Sequence, residues 1–151
     1  MVAKSYDAPQ TELYTFPNQV FGNSTKIFNL ISPKGKRGLV KDIIVDITAD
    51  MAGATTVPEV DVGTTPGDAS YARYRLGSSP ASGYTAAGGV KRATQEAITG
   101  NPPPTLADYS GHVALEKAFI PKDAAFVVTL LAGTGGAPAG AANVYVAIDW
   151  F

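Results

Sequence analysis

The sequence contains no cysteine and a single histidine, His112. The first absence excludes thiol catalysis, Cys-based zinc sites and disulfide staples. The second leaves a histidine-based metal site with at most one ligand of that type. Charge is scarce as well, at 17% of residues, where about 25% is usual for soluble domains. Two explanations fit that scarcity. Part of the surface is covered by partners, or Ala, Gly, Thr and Pro stand where Lys and Glu stand elsewhere, as they do in many β proteins. The 12 basic and 13 acidic residues leave a net charge of −1. The densest basic cluster, Lys34, Lys36, Arg37 and Lys41, is followed at once by Asp42 and Asp46. A phosphate backbone needs a continuous positive surface, so nucleic acid is not an expected partner. No apolar run approaches the ~18 residues that span a bilayer, and residues 1–19 lack the basic-then-apolar pattern of a signal peptide. No membrane partner is expected, and the chain is expected to be made in a cytosol.

At 151 residues the chain is long enough for one domain with a core that needs neither disulfides nor metals. Residues 1–25 are rich in Pro, Asn, Gln and Thr and show no sustained helix or strand period. Pro9 and Pro17 oppose helix, and Tyr6, Leu13, Tyr14, Phe16 and Phe21 are scattered between them. This predicts an extended N-terminal arm whose apolar side chains bind a partner. The plainer alternative is a frayed terminus that packs the same aromatics on its own domain.

From Lys26 the pattern turns to strand. Residues 26–32 are apolar and β-prone and stop at Ser32-Pro33, where proline removes a ladder donor. Residues 39–50 alternate: Leu39, Ile43, Val45 and Ile47 on one face, Asp42, Asp46 and Thr48 on the other. Residues 59–63 place Val60 and Val62 inward and Asp61 outward. Thr64-Thr65-Pro66-Gly67-Asp68 reads as a turn, and residues 71–76 set Ala72, Tyr74 and Leu76 against Tyr71, Arg73 and Arg75. An irregular insertion is expected at about 78–111, with a weakly signalled short helix near 90–98. Strand is expected again at 112–120 and 125–131. A Gly- and Ala-rich loop follows over 133–142, then a closing strand with Val144, Val146, Ile148 and Trp150 on one face. The pattern predicts a single all-β domain over residues 26–151, an antiparallel β-sandwich or jelly roll of about seven or eight strands.

No constellation for catalysis emerges, and an enzyme is not expected. His112 has no Gly-x-Ser-x-Gly nucleophile to serve. Asp42, Asp46 and Asp50 share a strand face but stand roughly 13 Å apart at successive steps, too far for an acid/base pair. Asp61 and Asp68 flank a turn and offer oxygen ligands for calcium, but the Asp-x-Asp-x-Asp-Gly loop is missing, so solvated charges are the better interpretation. The run from Gly133 to Gly140 lacks the Gly-Lys-Ser/Thr ending of a phosphate loop. Neither cofactor nor metal is expected.

Three stretches together carry a family resemblance. Pro33-Lys34-Gly35-Lys36-Arg37-Gly38-Leu39-Val40 leads into an alternating strand. Val60-Asp61-Val62-Gly63-Thr64-Thr65-Pro66-Gly67-Asp68-Ala69 precedes a strand ending in Leu76-Gly77. The Gly-Thr-Gly-Gly-Ala-Pro-Ala-Gly loop is followed by Val-Tyr-Val-Ala-Ile-Asp-Trp-Phe. This arrangement, over about residues 26–77 and 112–151, resembles the capsid decoration (cement) proteins of tailed bacteriophages, small virion proteins with a jelly-roll-like sandwich. The resemblance implies a structural protein on the outer capsid surface, often a homotrimer, that bridges neighbouring subunits of the major capsid protein. A carbohydrate-binding head-fibre or attachment module is the alternative, with Tyr71, Tyr84, Tyr109 and Trp150 as aromatics for sugar stacking.

Overall fold

The alternating stretches become nine strands in a computed structural model that describes residues 9–22, 24–53, 55–76, 88–94 and 113–151. They are β1 (Gln10–Val20), β2 (Lys26–Ile31), β3 (Gly38–Ala52), β4 (Glu59–Gly63), β5 (Ala72–Arg75), β6 (Val90–Arg92), β7 (Val113–Ala114), β8 (Ala125–Leu131) and β9 (Ala139–Trp150). All pairings are antiparallel, in two sheets of order β1-β9-β3-β6 and β2-β8-β4-β5-β7. Setting aside the two-residue β7, eight strands form two four-stranded sheets. Their pairing is nested: β4 with β5, β3 with β6, β2 with β8 and β1 with β9. This is one long hairpin rolled over so that β9 also meets β3 and β8 also meets β4, the order of a jelly roll. The expectation of an all-β antiparallel sandwich is met.

The two inner faces meet in one apolar core. Val40, Ile43, Val45, Ile47, Val144, Val146, Ile148 and Trp150 come from the first sheet. Val60, Val62, Ala72, Tyr74, Leu76, Phe126, Val128 and Leu130 come from the second. Trp150 meets Phe126 at 6.0 Å with the rings tilted, and among the described residues its indole N–H finds no acceptor in hydrogen-bonding geometry. In β3 the inward residue is Val40 rather than Leu39. The register against β9 shifts between Val40 and Asp42, so the extra residue of a β-bulge turns the start of the strand over.

Three further boundaries differ from the sequence pattern. The Gly- and Ala-rich loop is shorter than expected, because β9 begins at Ala139. Residues 90–92 form β6 against Ile44–Asp46 and helical backbone begins only at Ala93 and Thr94, while 95–98 lie outside the described residues. The strand expected at 112–120 shrinks to β7, because Glu116 adopts a left-handed backbone (φ 55°) and Ile120 rejoins the sheets only through a bridge to Gly38.

The N-terminal arm is the main correction. Residues 10–20 are an edge strand of the sandwich, paired with β9 from Gln10↔Trp150 to Val20↔Ala141. Phe16 and Phe21 are buried in the domain's own core. Phe16 lies 4.4 Å from the Phe28 ring and Tyr14 meets Phe126 edge-on at 5.8 Å. The physical reason is burial. An apolar face already exists between β9 and β2, and aromatic side chains that reach it gain more there than in water. The domain therefore begins by Gln10, and the plainer alternative for the aromatics holds.

Removing residues 1–25 should therefore destabilise the domain. Burying two Phe side chains contributes about 1.5–3 kcal/mol each, a large part of a typical 5–15 kcal/mol stability. In a thermal melt a chain starting at Lys26 is expected to unfold well below the full chain. Coincident melts would restore the free arm.

Candidate interaction surface

Tyr6 lies outside the described residues, as do Tyr84, Tyr109 and His112. Of the other residues expected to bind a partner, Leu13 is exposed on β1, whereas Tyr14, Phe16 and Phe21 turn into the core. Burial, with the Glu12 carboxylate that accepts its O–H at 2.8 Å, holds the Tyr14 hydroxyl far above its ordinary pKa. Tyr71 and Trp150 are 5% and 1% exposed, so neither offers a face for sugar stacking.

The charged residues of the outer faces are structural. Arg73 grips the fully buried Asp61 in a two-pronged ion pair, Nε to Oδ1 at 2.8 Å and Nη2 to Oδ2 at 2.7 Å, and Arg75 pairs with Glu59 at 2.8 Å. Burial raises the Asp61 pKa even though Arg73 draws it down, while the Asp61 hydrogen bond raises that of Arg73. The guanidinium thus holds a carboxylate that would rather shed its charge. Asp42, expected on the polar face of its strand, accepts from Arg92 at 2.8 Å and from the backbone and hydroxyl of Thr94 at 3.1 Å, fastening β6 to β3. Asp68 caps the 64–68 turn, accepting from the Ser70 hydroxyl at 2.6 Å and from Thr64 N at 2.7 Å and Oγ1 at 2.8 Å. These bonds lower its pKa to about 2. Among the described residues no group of three or more His, Asp or Glu is placed to hold a metal ion. No described helix is long and apolar enough to cross a membrane.

What remains open lies at one end of the sandwich. The 33–37 turn is closed by Lys36 N–H to Pro33 O at 3.0 Å, with Gly35 at φ 73° and its N–H held by the Asp123 carboxylate at 2.8 Å. Gly38 bonds Ile120 in both directions, at 2.9 and 2.8 Å, tying the first sheet to the segment before β8. It sits so close under Trp150 that a side chain there would collide with the indole. This framework sets the exposed Phe119 and Phe151 edge to face at 5.9 Å, with the Arg37 guanidinium 4.7 Å over the Phe119 ring. With Gly35, Pro121 and Lys122 they line an open groove of about 570 Å³. Lys34 and Lys36 flank Gly35 in the same turn. The nearby carboxylate, Asp123, already serves Gly35. A groove of two aromatic rings lined by the cations Arg37 and Lys122 can seat an apolar side chain and draw a carboxylate toward it. The basic turn was visible in the sequence. Its meeting with Phe119 and Phe151, more than 80 positions away, was not.

Two substitutions test the buried charges. Arg73→Ala leaves the Asp61 carboxylate without its partner and is expected to destabilise the fold by about 3–5 kcal/mol in denaturant titration. A loss below 1 kcal/mol would contradict the pairing. Because the folded-state pKa of Asp68 is depressed, its contribution is complete above the ordinary carboxylate value of 3.8 and is lost as pH falls towards about 2. Asp68→Asn should thus cost about 2 kcal/mol at neutral pH, with the gap to the unsubstituted protein closing over that acid window. Asp61, raised instead, opposes this trend. A pH-independent gap would refute the cap.

No protein-family model, no curated protein and no solved structure matches the chain.

Proposed function

We propose that this is a structural virion protein that binds the outer surface of a bacteriophage capsid and stabilises contacts between subunits of the major capsid protein. The observation that carries this reading is the groove between Arg37, Phe119, Phe151 and Lys122. It is built from three chain segments that the strand ladders hold in place, and it leaves two large aromatic side chains in water. Such side chains, with Arg, are the usual anchors of protein interfaces. Its charge selects the occupant. With Arg37 and Lys122 in its lining and Lys34 and Lys36 in the adjoining turn, the complementary surface carries a carboxylate beside an apolar anchor, as a loop of a neighbouring coat subunit would. The fold agrees, since jelly rolls recur in capsid and lectin domains, although a fold alone does not assign a function.

The carbohydrate reading keeps one observation in its favour, the same exposed aromatic pair. It loses Tyr71 and Trp150 to the core.

Cosedimentation with empty capsids of the encoding phage tests the proposal. The unsubstituted protein is expected to bind. Arg37→Glu and Phe119→Ser are each expected to weaken binding at least about tenfold, the effect of losing an interface anchor, while Leu13→Ser on β1 leaves it unchanged. Undiminished binding by both groove variants would remove the groove from the interface. Specific retention on a glycan array without capsid binding would favour the attachment module.

A further inference from the structure

Sheets that end in open strands attract other strands, and natural proteins blunt such edges with proline, bulges, charge or brevity. Among the described residues three of the four edges are blunted. β1 carries Pro17, a register break between Phe16 and Gln19, and Asn18 at φ 55°. β6 and β7 have three and two residues. β2 has none of these devices. It runs for six residues, its one charge is Lys26 at the first position, and Pro33 comes only after its end.

The ladder shows which backbone groups β2 leaves open. Ser32 N–H donates to Ala124 O at 2.9 Å, on the same diagonal as Lys26↔Leu130, Phe28↔Val128 and Leu30↔Phe126. In an antiparallel pair alternate residues carry the bonds. The N–H and C=O groups of Ile27, Asn29 and Ile31 therefore point away from β8. The side chains follow the same alternation. Phe28 and Leu30 pack toward the core, whereas Ile27 and Ile31 are 48% and 75% exposed on the outer face.

We infer that β2 pairs antiparallel with β2 of a second copy, about a two-fold axis at Asn29. Centred there, each open residue meets an open residue: Asn29 meets Asn29, and Ile27 of one copy meets Ile31 of the other. All six outward donors and acceptors of each strand find partners. On the inner face Phe28 comes opposite Leu30, and on the outer face the two exposed apolar side chains of the strand cover each other. Lys26 falls opposite Ser32, so no like charges are opposed, and a chain of net charge −1 sets up little repulsion between copies. Centring on Phe28 instead would place Ile31 opposite Thr25, beyond the strand. β2 thus complements itself in the way that an isologous interface requires, and the two five-stranded sheets merge into one of twice the width. Copies join by a two-fold contact, in contrast to the three-fold assembly that the family resemblance implies.

The absence of cysteine allows a clean test that does not involve capsids. Single variants Asn29→Cys, Ile27→Cys and Ile31→Cys of the full chain are oxidised and run on non-reducing gels, with mass measured by light scattering for the unsubstituted protein and for Asn29→Pro. Asn29→Cys is expected to cross-link at least about tenfold faster than the other two alone. Its two sulfurs meet at the axis, whereas residue 27 or 31 lies roughly 13 Å along the strand from its own copy, beyond the about 7 Å that a disulfide tolerates. Mixing Ile27→Cys with Ile31→Cys should restore cross-linking. The unsubstituted protein should weigh two chains at high concentration, and Asn29→Pro, which removes only an outward donor, should weigh one while keeping its near-ultraviolet circular dichroism. A single-chain mass at every concentration, a trimer in which Asn29→Cys does not cross-link, or a dimer indifferent to Asn29→Pro would each overturn the inference.

Discussion

β9 lies between β1 and β3 in the first sheet, and its pairing on both sides is what the rest of the structure depends on. Its inward residues Val144, Val146, Ile148 and Trp150 supply the middle of that sheet's core face, and its two ladders hold the ends of the rolled hairpin together. Trp150 pairs with Gly38 on one side and Gln10 on the other, so one residue joins three distant parts of the chain. Contacts of such sequence separation form only after loop closure has been met, which makes the fold dependent on its final strand.

The same closure positions both exposed features. Where β9 ends, Phe151 exchanges hydrogen bonds with Arg37, and the Gly38–Ile120 bridge brings Phe119 beside them. The groove is thus a product of the sandwich's end and needs no further element. β2 runs into the same corner, since the turn carrying Arg37 begins just after Ile31. Antiparallel pairing of β2 would send the grooves of two copies to opposite ends of the joined sheet. Two grooves so arranged would face apart at a fixed distance, as the proposed bridging of neighbouring subunits would require.

Much of the sandwich was legible in period-two alternation. Ala72, Tyr74 and Leu76, and the inward face of β9, are where the pattern put them. Alternation failed where the backbone departs from it. The bulge after Val40 reverses Leu39, the left-handed Glu116 ends β7, and the strand Val90–Arg92 exists because β3 offers it an edge. The aromatics of residues 10–21 were visible, but which surface would cover them was not, because a strand with little alternation is placed by its neighbour. Asp61 looked solvated, and Asp42 merely outward, for a similar reason. Arg92 and Arg73 reach them across a ladder register that local sequence does not display.

The sequence by itself determined the class: strand alternation, turn residues at regular spacing, no Cys and a single His leave an all-β domain whose stability comes from packing and hydrogen bonds. Only the tertiary structure decided that residues 10–20 belong to the core, that Phe119 and Phe151 meet Arg37, and that β2 is the edge without protection. Each of these depends on which strands become neighbours, a long-range choice made by burying apolar faces against one another, and no short-range pattern encodes it.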